Sequence, residues 1–435
     1  MEEIVDYYSL NKFNTPDDFN VTKKDKKVLI SLAQKKADIA DNPVHSEKIK
    51  QWTNLNNLKK VRPLVWINEI PWYEMNVDNE LTLITQTPFS KYLEDRLRKT
   101  IYLWKHMPSD FIVEPILPCY LVINNSGFGI SEEVNIKKTD ESSDIISREF
   151  IPQIQDEEDI SKIKMPRVEF DSEATEEKYQ VMKSIFDGIL VVEKCGLPGF
   201  WFAPWDELIR WWGVEKALID LVLRPELVHK VMERLTKAYL TMLDQYEEKN
   251  LLSLNNRDYR IGSGGIGYTD QLPQKDFNSN KVRAKDMWGC GAAQIFSNVS
   301  PDMHIEFALN YEIEWMKRFG LNYYGCCEPL DKKIDILGKI PNLRKISMSP
   351  WVDLELRAKN IGREYVFSYK SSPSIFAEET WDPVEVENKL IKDLSIIKSC
   401  YCNVEIIMKD ISTVKYKPQK LWQWADIAVK VAQKF

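Results

Sequence analysis

The sequence is poor in soft metal ligands and has none of the features that mark a nucleic-acid or membrane partner. It contains seven cysteines and four histidines among 435 residues, too few and too scattered for a multi-histidine metal site or a disulfide framework. No uninterrupted apolar run approaches the ~18 residues that would span a bilayer. Acidic residues outnumber basic ones, 66 to 59, whereas nucleic acids and anionic lipids are bound through clustered Lys and Arg. We therefore expect neither kind of partner.

The sequence also shows no secretory signal. Its first ten residues, MEEIVDYYSL, are acidic and lack the apolar segment of a signal peptide. The cysteines are odd in number and unevenly spaced, as in proteins whose thiols stay reduced. These features predict a cytoplasmic protein. With 44% hydrophobic residues and 14 tryptophans, the chain has ample material for a large core.

Short β-branched or aromatic segments alternate with longer amphipathic ones over most of the chain. Such alternation is typical of a parallel sheet covered by helices. The candidate strands are 63–70, 118–125, 188–194, 251–256, 321–327, 343–349, 364–370 and 404–410. Eight strands of this kind predict an α/β fold, a (β/α)8 TIM barrel spanning 61–435. The polar helical segments before it predict an N-terminal helical extension over 1–60.

Two long segments carry clear helix signals. One is 225–250, which begins at a proline. The other is 300–320, where Ser300 stands at the N-cap, Pro301 at the first helical position and Gly320 just past the end.

In a barrel of this type the chemistry lies where the strands end. Polar residues at or just past the predicted strand ends include Glu69, Lys370 and Asp410. We expect these three to be the catalytic or substrate-positioning groups.

The segment NYYGCCEPL, 322–330, places two adjacent cysteines and a carboxylate at one such strand end. Thiolates and carboxylates are ordinary zinc ligands, and a catalytic zinc has about three protein ligands and one open position. Both thiols can face one cavity only if the chain turns, which Pro329 favours by keeping Glu328 out of the α region. Cys326, Cys327 and Glu328 are thus candidate metal ligands. The alternative is that both thiols pack as small buried hydrophobes.

Two further segments bear on a binding site. GSGGIG, 262–267, satisfies GxGxxG, but no helix signal follows it, so a flexible loop that covers the substrate is favoured over nucleotide binding. GFWFAPWDELIRWWG, 199–213, has four tryptophans. They could form the wall of an apolar pocket, or they could belong to the core or an interface.

Several of these stretches resemble the uroporphyrinogen decarboxylase superfamily, in its corrinoid-dependent methyltransferase branch. RPLVW, 62–66, is similar to the opening of that family's first strand. The segment 205–240, which contains RPELVHKVMERL, is similar to its long helical region. NYYGCCEPL falls where the methyltransferases carry a His-any-Cys-Gly metal motif.

The resemblance implies a zinc enzyme that moves a methyl group between a small methylated or thiol compound and a corrinoid carried by a partner protein. Of the family's metal ligands only Cys326 aligns directly. Tyr324 stands in place of the histidine, and MKDIST offers Asp410 where the family has a cysteine. Cys327, Glu328 and Asp410 are chemically reasonable replacements.

Two alternatives of different classes stay open. True uroporphyrinogen decarboxylases carry an Arg-Gln-Ala-Gly-Arg run after the first strand, whereas this chain has INEIPWYEM with Glu69 and Glu74, which would repel a polyanion. A metal-free decarboxylase or lyase could still act on a small carboxylated substrate through Glu69, Asp410 and Lys370. The third possibility is a barrel that binds a ligand without catalysis.

Overall fold

The computed structural model describes residue 13 and residues 15–137, 147–330 and 332–435. The first ten residues, on which the prediction of no signal peptide depends, lie outside these ranges. Within them, no helix combines the length and apolarity needed to cross a membrane. The predicted boundary between residues 60 and 61 stays a prediction.

The strands of the described ranges are short, and most lie in the second half of the chain. They are β1 Leu64–Ile67, β2 Ile116–Tyr120, β3 Val122–Asn125, β4 Val134–Lys137, β5 Ser147–Phe150, β6 Val168–Asp171, β7 Val191–Cys195, β8 Trp288–Gly291, β9 Leu321–Tyr324, β10 Leu343–Met348, β11 Val366–Ser371 and β12 Asn403–Met408.

Helices alternate with these strands. They are α1 Lys23–Ala40, α2 Val44–Asn56, α3 Trp72–Met75, α4 Pro88–His106, α5 Ser172–Phe186, α6 Pro204–Trp212, α7 Val214–Leu223, α8 Pro225–Glu248, α9 Pro301–His304, α10 Asn310–Met316, α11 Ile334–Leu337, α12 Leu354–Ile361, α13 Pro383–Ser399 and α14 Gln419–Ala432. A π-helical turn, Ile305–Leu309, joins α9 to α10. The predicted cap is confirmed, since the Ser300 hydroxyl accepts the Met303 N–H.

Six strands form one parallel sheet in the order β1-β12-β11-β10-β9-β8. Its central strands, such as β11 and β12, are buried along their whole length, as expected when helices cover a parallel sheet. The register sets Ile67 of β1 beside Met408 of β12, so these two strands end together. The remaining strands form three two-stranded sheets, β2-β7, β3-β6 and β4-β5.

The strand predictions are confirmed for five members of the large sheet, β1 and β9 to β12. The predicted strand 118–125 is split between β2 and β3, and 188–194 corresponds to β7, all outside the large sheet. The predicted strand 251–256 was wrong: it makes only one bridge, from Leu252 to Leu197. Conversely, β8 was missed because its glycines suggested a loop. Only glycine fits at position 289, because a Cβ there would lie 2.5 Å from the Phe319 ring.

Side chains and irregular segments complete the two edges of the large sheet. At the β8 edge the Asn255 amide accepts the Trp288 N–H and donates to the Trp288 carbonyl. At the β1 edge the Asp110 carboxylate accepts the Val65 N–H, and the Asp110 N–H donates to the Val65 carbonyl. Polar side chains thus satisfy edge groups that a neighbouring strand would otherwise pair.

Candidate functional site

Sharp turns follow three strands of the large sheet and bring their polar residues to one place. Glu69 after β1, Gly325 after β9 and Asp410 after β12 all have positive φ, at 49°, 94° and 55°. Non-glycine residues seldom adopt such angles, and those that do concentrate at functional sites. Because β1 and β12 end in register, the Asp410 N–H donates to Glu69 Oε2 at 3.1 Å.

The two thiols lie together at the turn after β9. Their sulfur atoms are 3.5 Å apart. Cys326 is largely buried, whereas Cys327 is exposed. Gly325 makes the turn possible, since a Cβ there would lie 2.9 Å from Leu330 Cδ1 and 3.0 Å from Ser347 Cβ. Both thiols therefore face the same side, as a shared function requires.

The buried ammonium group of Lys409 lies among these groups. Lys409 Nζ donates to the sulfurs of Cys326 and Cys327 at 3.4 and 3.6 Å. It also pairs with Asp410 Oδ2 at 2.8 Å and with Glu69 Oε2 at 3.5 Å. Cys327 Sγ also lies 3.2 Å from Asp410 Oδ2. One cation thus contacts two sulfurs and two carboxylates.

A second cation, Arg260, holds the far oxygen of Glu69. Arg260 Nη2 donates to Glu69 Oε1 at 2.7 Å, and the guanidinium is almost fully buried. Glu69 is therefore fixed between Arg260 and Lys409.

Hydrogen bonding and charge shift the acidity of the thiols. The hydrogen bond from Cys327 lowers the pKa of Cys326 to about 6, with further lowering by the Lys409 charge against the effect of burial. The same hydrogen bond and burial raise the pKa of Cys327. The pair thus shares one proton, with the thiolate on Cys326. Lys409 keeps its proton, because the surrounding anions raise its pKa despite burial.

These groups form the floor of a cavity of about 720 Å³. Its wall includes Phe128, Trp201 and Trp211, and glycines 127 and 129 flank Phe128. The two interpretations of the tryptophan-rich segment both hold in part, since Trp201 and Trp211 line the cavity while Trp205 and Trp212 are fully buried. The cavity combines an aromatic wall with a charged, thiol-bearing floor.

Two predicted site residues lie apart from the cavity lining. Glu328 is buried and accepts the Cys326 N–H at 2.8 Å, so it supports the turn from behind. Burial and the nearby Cys326 raise its pKa to about 7. Lys370 is buried and donates to Ser263 Oγ at 2.7 Å and to the Tyr323 hydroxyl at 3.0 Å. Cys326, Cys327, Glu69 and Asp410 are the predicted residues that the fold brings together.

The glycine-rich segment 262–267 has a different role from the predicted covering loop. Residues 261–269 are all buried, and two of their glycines pack against residues of β12 and α2. A Cβ on Gly264 would lie 2.4 Å from Glu405 Oε1, and one on Gly265 would lie 2.4 Å from the Trp52 ring. The glycines permit close packing, and the prediction of a mobile loop was wrong.

The donors as arranged do not fit a metal ion. Among the described residues, no group of three or more His, Cys, Asp or Glu side chains has metal-binding geometry. The two sulfurs and Asp410 converge, but the Lys409 ammonium lies within contact of all three. Zinc stays a prediction from the sequence.

Sequence reasoning missed three parts of the site. Lys409 directly precedes Asp410 at the end of β12, so the strand-end rule that found Asp410 applied equally to it. Arg260 comes from a segment without regular structure, and no sequence signal pointed to it. The loop 126–132 carries the glycine-flanked motif SGFGI, which could have indicated a binding loop.

Comparisons with known proteins add little to this geometry. No known family and no curated protein matches the chain. Among solved structures, a methyltransferase from Methanosarcina mazei is similar at 10% sequence identity, with a TM-score of 0.49, over 89% of this chain and 98% of that chain. A similarity at this level does not carry chemistry from one protein to another. The likeness to the uroporphyrinogen decarboxylase superfamily remains a prediction from motifs.

Proposed function

We propose that the chain is an enzyme that transfers a methyl group to or from a small methylated or thiol compound, with a corrinoid on a partner protein as the second reactant. The observation that supports this proposal is that Cys326, Cys327 and Lys409 lie in contact on the floor of an aromatic-walled cavity. Its volume, about 720 Å³, is within the ~300–1,000 Å³ typical of small-molecule sites.

The residues on the cavity floor suit a displacement at a methyl carbon. When the methyl–heteroatom bond breaks, its electron pair stays on the leaving atom, and the fixed positive charge of Lys409 on the cavity floor would stabilise the developing negative charge. Trp201 and Trp211 would exclude water. The corrinoid, when bound, supplies a cobalt that accepts or donates the methyl group. This displacement needs no zinc.

We also propose that the parallel sheet closes into a barrel around this site. Cys327 contacts Asp410 although β10 and β11 lie between β9 and β12 in the sheet. In a flat sheet, the three strand-to-strand spacings from β9 to β12 would separate the ends of these two strands by roughly 14 Å. The contact therefore requires a strongly curved sheet. The segments near Asp110 and Asn255, which satisfy the two edges, would complete the wall.

Methyl transfer can be tested directly by optical spectroscopy. The purified protein is incubated with cob(I)alamin and a panel of methylated amines, ethers and thioethers, and methylcobalamin formation is followed by absorbance. We expect turnover with at least one class, and a loss of at least ~100-fold in C326S or K409M. The control is C400S, which removes a thiol at the far end of α13. Equal activity in C326S and C400S would contradict the assignment of this cavity.

The cations of the cavity favour one second candidate, a metal-free decarboxylase or lyase for a small carboxylated substrate. Arg260 and Lys409 line the cavity beside Glu69 and Asp410, and cations of this kind bind a substrate carboxylate. Glu69 and Asp410 would then act as acid and base, whereas Lys370 lies outside the lining. Carbon dioxide release without a corrinoid, unaffected by chelators and lost in E69Q, would favour this reaction. Ligand binding without any turnover would favour a non-catalytic barrel.

A further inference from the structure

The arrangement around Lys409 has the composition of a metal site but holds a side-chain cation at its centre. Two sulfurs and two carboxylate oxygens surround Lys409 Nζ, at 3.4 and 3.6 Å and at 2.8 and 3.5 Å. Zinc takes the same donor types at about 2.3 Å for sulfur and 2.0–2.2 Å for carboxylate oxygen. The ammonium group is therefore surrounded by the same kinds of donor at longer range.

The sulfur spacing supports this comparison. Two thiolates on one tetrahedral zinc, each at about 2.3 Å, lie roughly 3.8 Å apart. The sulfurs of Cys326 and Cys327 are 3.5 Å apart. The two thiols alone would therefore need little rearrangement to bind one metal ion, and Lys409 occupies the space between them and the carboxylates.

Lys409 is also held firmly in this position. Its side chain is only 4% exposed, and it leaves β12 at the residue directly after the strand. An ammonium group has three protons to donate, and the two thiols and two carboxylates satisfy them. Moving this cation away would leave the buried Cys326 sulfur without its counter-charge, which is costly.

We infer that Lys409 is an internal counter-ion that takes the place of a metal ion in this site. It supplies a single fixed positive charge to the sulfur and carboxylate groups, and it blocks the entry of a divalent cation. The inference concerns the site itself and does not depend on which reaction the cavity supports.

The test is zinc binding by the reduced, full-length protein, measured by elemental analysis after dialysis against zinc. We expect the wild type to retain less than about a tenth of an equivalent, and Lys409→Ala to gain about one zinc per chain. Lys409→Arg keeps the charge and should stay empty. Lys370→Ala, which removes the other buried strand-end lysine, is the matched control and should also stay empty.

A second substitution identifies the ligands. Adding C326S and C327S to Lys409→Ala should abolish the gained zinc, while adding C400S should not. Circular dichroism and thermal unfolding establish that each variant is folded, and Lys409→Met replaces Lys409→Ala if the latter does not fold. Stoichiometric zinc in the wild type that C326S/C327S removes would overturn the inference, whether or not any variant folds. A folded Lys409→Ala protein that binds no zinc would also overturn it.

Discussion

The thiol of Cys326 owes its properties to neighbours that are distant in the sequence. Cys327 is adjacent, but Lys409 and Glu69 come from strands at the other end of the sheet order. A thiolate beside a fixed cation in an open cavity is the environment in which cysteine is reactive. The other buried cysteines differ: burial raises the pKa of Cys290 and of Cys402 to about 12.

Replacing Lys409 by Met should make Cys326 less reactive at neutral pH. The wild-type pKa of about 6 leaves Cys326 mostly as thiolate at pH 7, and loss of the Lys409 charge moves the pKa toward the ordinary value of about 8.5. The rate of carboxamidomethylation of Cys326 by iodoacetamide at pH 7 should fall roughly tenfold. Peptide mass spectrometry across pH 5.5–9 measures this. The control K415M changes a partly exposed lysine in the segment after β12, and identical pH profiles for K409M and K415M would contradict the prediction.

At the scale of elements, the turn after β9 depends on one glycine. Gly325 combines positive φ with tight surroundings, whereas Gly188, in the turn before β7, has φ 76° and open space, with no atom within 4 Å of the place where a Cβ would lie. Both positions favour glycine for backbone reasons, but only Gly325 is also crowded.

Gly325→Ala should therefore destabilise the protein more than Gly188→Ala. Each alanine costs about 1 kcal/mol in backbone conformation, and the contacts at Gly325 add about 1–3 kcal/mol. Urea unfolding of both variants measures the difference. The crowded turn should also displace the thiols, so iodoacetamide labelling of Cys326 should change in G325A alone. Equal losses of stability in the two variants would show that crowding is unimportant.

A second element-level feature is the buried polar cluster under the π-helical turn. The Tyr324 hydroxyl donates to Glu312 Oε2 at 2.7 Å and lies 2.7 Å from His304 Nε2. Glu312 Oε1 has no hydrogen-bond partner among the described residues. Burial raises the pKa of Glu312 to about 8 and lowers that of His304 to about 3. Both groups are therefore neutral at pH 7.

Glu312 predicts a specific dependence of stability on pH. The pKa of Glu312 is about 8 in the folded state and 4.5 in the unfolded state. Its full contribution to the free energy of unfolding is therefore present below about pH 4.5 and is lost as pH rises toward 8. Glutamine cannot ionise, so the wild type should lose about 4 kcal/mol relative to E312Q between pH 5 and pH 8.5. Urea unfolding at the two pH values measures this. A constant difference between the two proteins would refute the raised pKa.

At the scale of the whole molecule, the sheet encloses an ion pair that lies apart from the candidate site. Lys345 Nζ lies 2.8 Å from Glu405 Oε2, and both side chains are fully buried. The ammonium also lies over the rings of Trp52 and Trp288, at 5.6 and 5.5 Å from their centroids. This pair connects β10 and β12 with helix α2.

Lys345→Met should destabilise the protein strongly, because it leaves the Glu405 carboxylate buried without its counter-charge. We expect a loss of about 3–5 kcal/mol in the free energy of unfolding. The double variant K345M/E405L removes both charges and should recover much of this loss. Urea unfolding compares the two. A double variant less stable than K345M would show that the pair itself is strongly stabilising.

The sequence by itself determined much of the fold. Local periodicity and capping identified α8, the Ser300 cap and five of the six strands of the parallel sheet, because buried parallel strands and amphipathic helices follow from short-range patterns of apolar residues. The strand-end rule likewise identified Glu69, Cys326, Cys327 and Asp410 before any of them could be placed in space.

Only the tertiary structure decided which of these residues act together. Glu328 and Lys370 lie at strand ends as predicted, yet neither side chain reaches the cavity. Glu328 points behind the turn toward the Cys326 N–H, and Lys370 points toward Ser263. The glycines of 262–267 are needed for close approach to Trp52 and Glu405. Lys409 became central because sheet curvature brings the ends of β9 and β12 into contact. Side-chain direction and curvature depend on contacts between residues far apart in the chain, so sequence spacing cannot supply them.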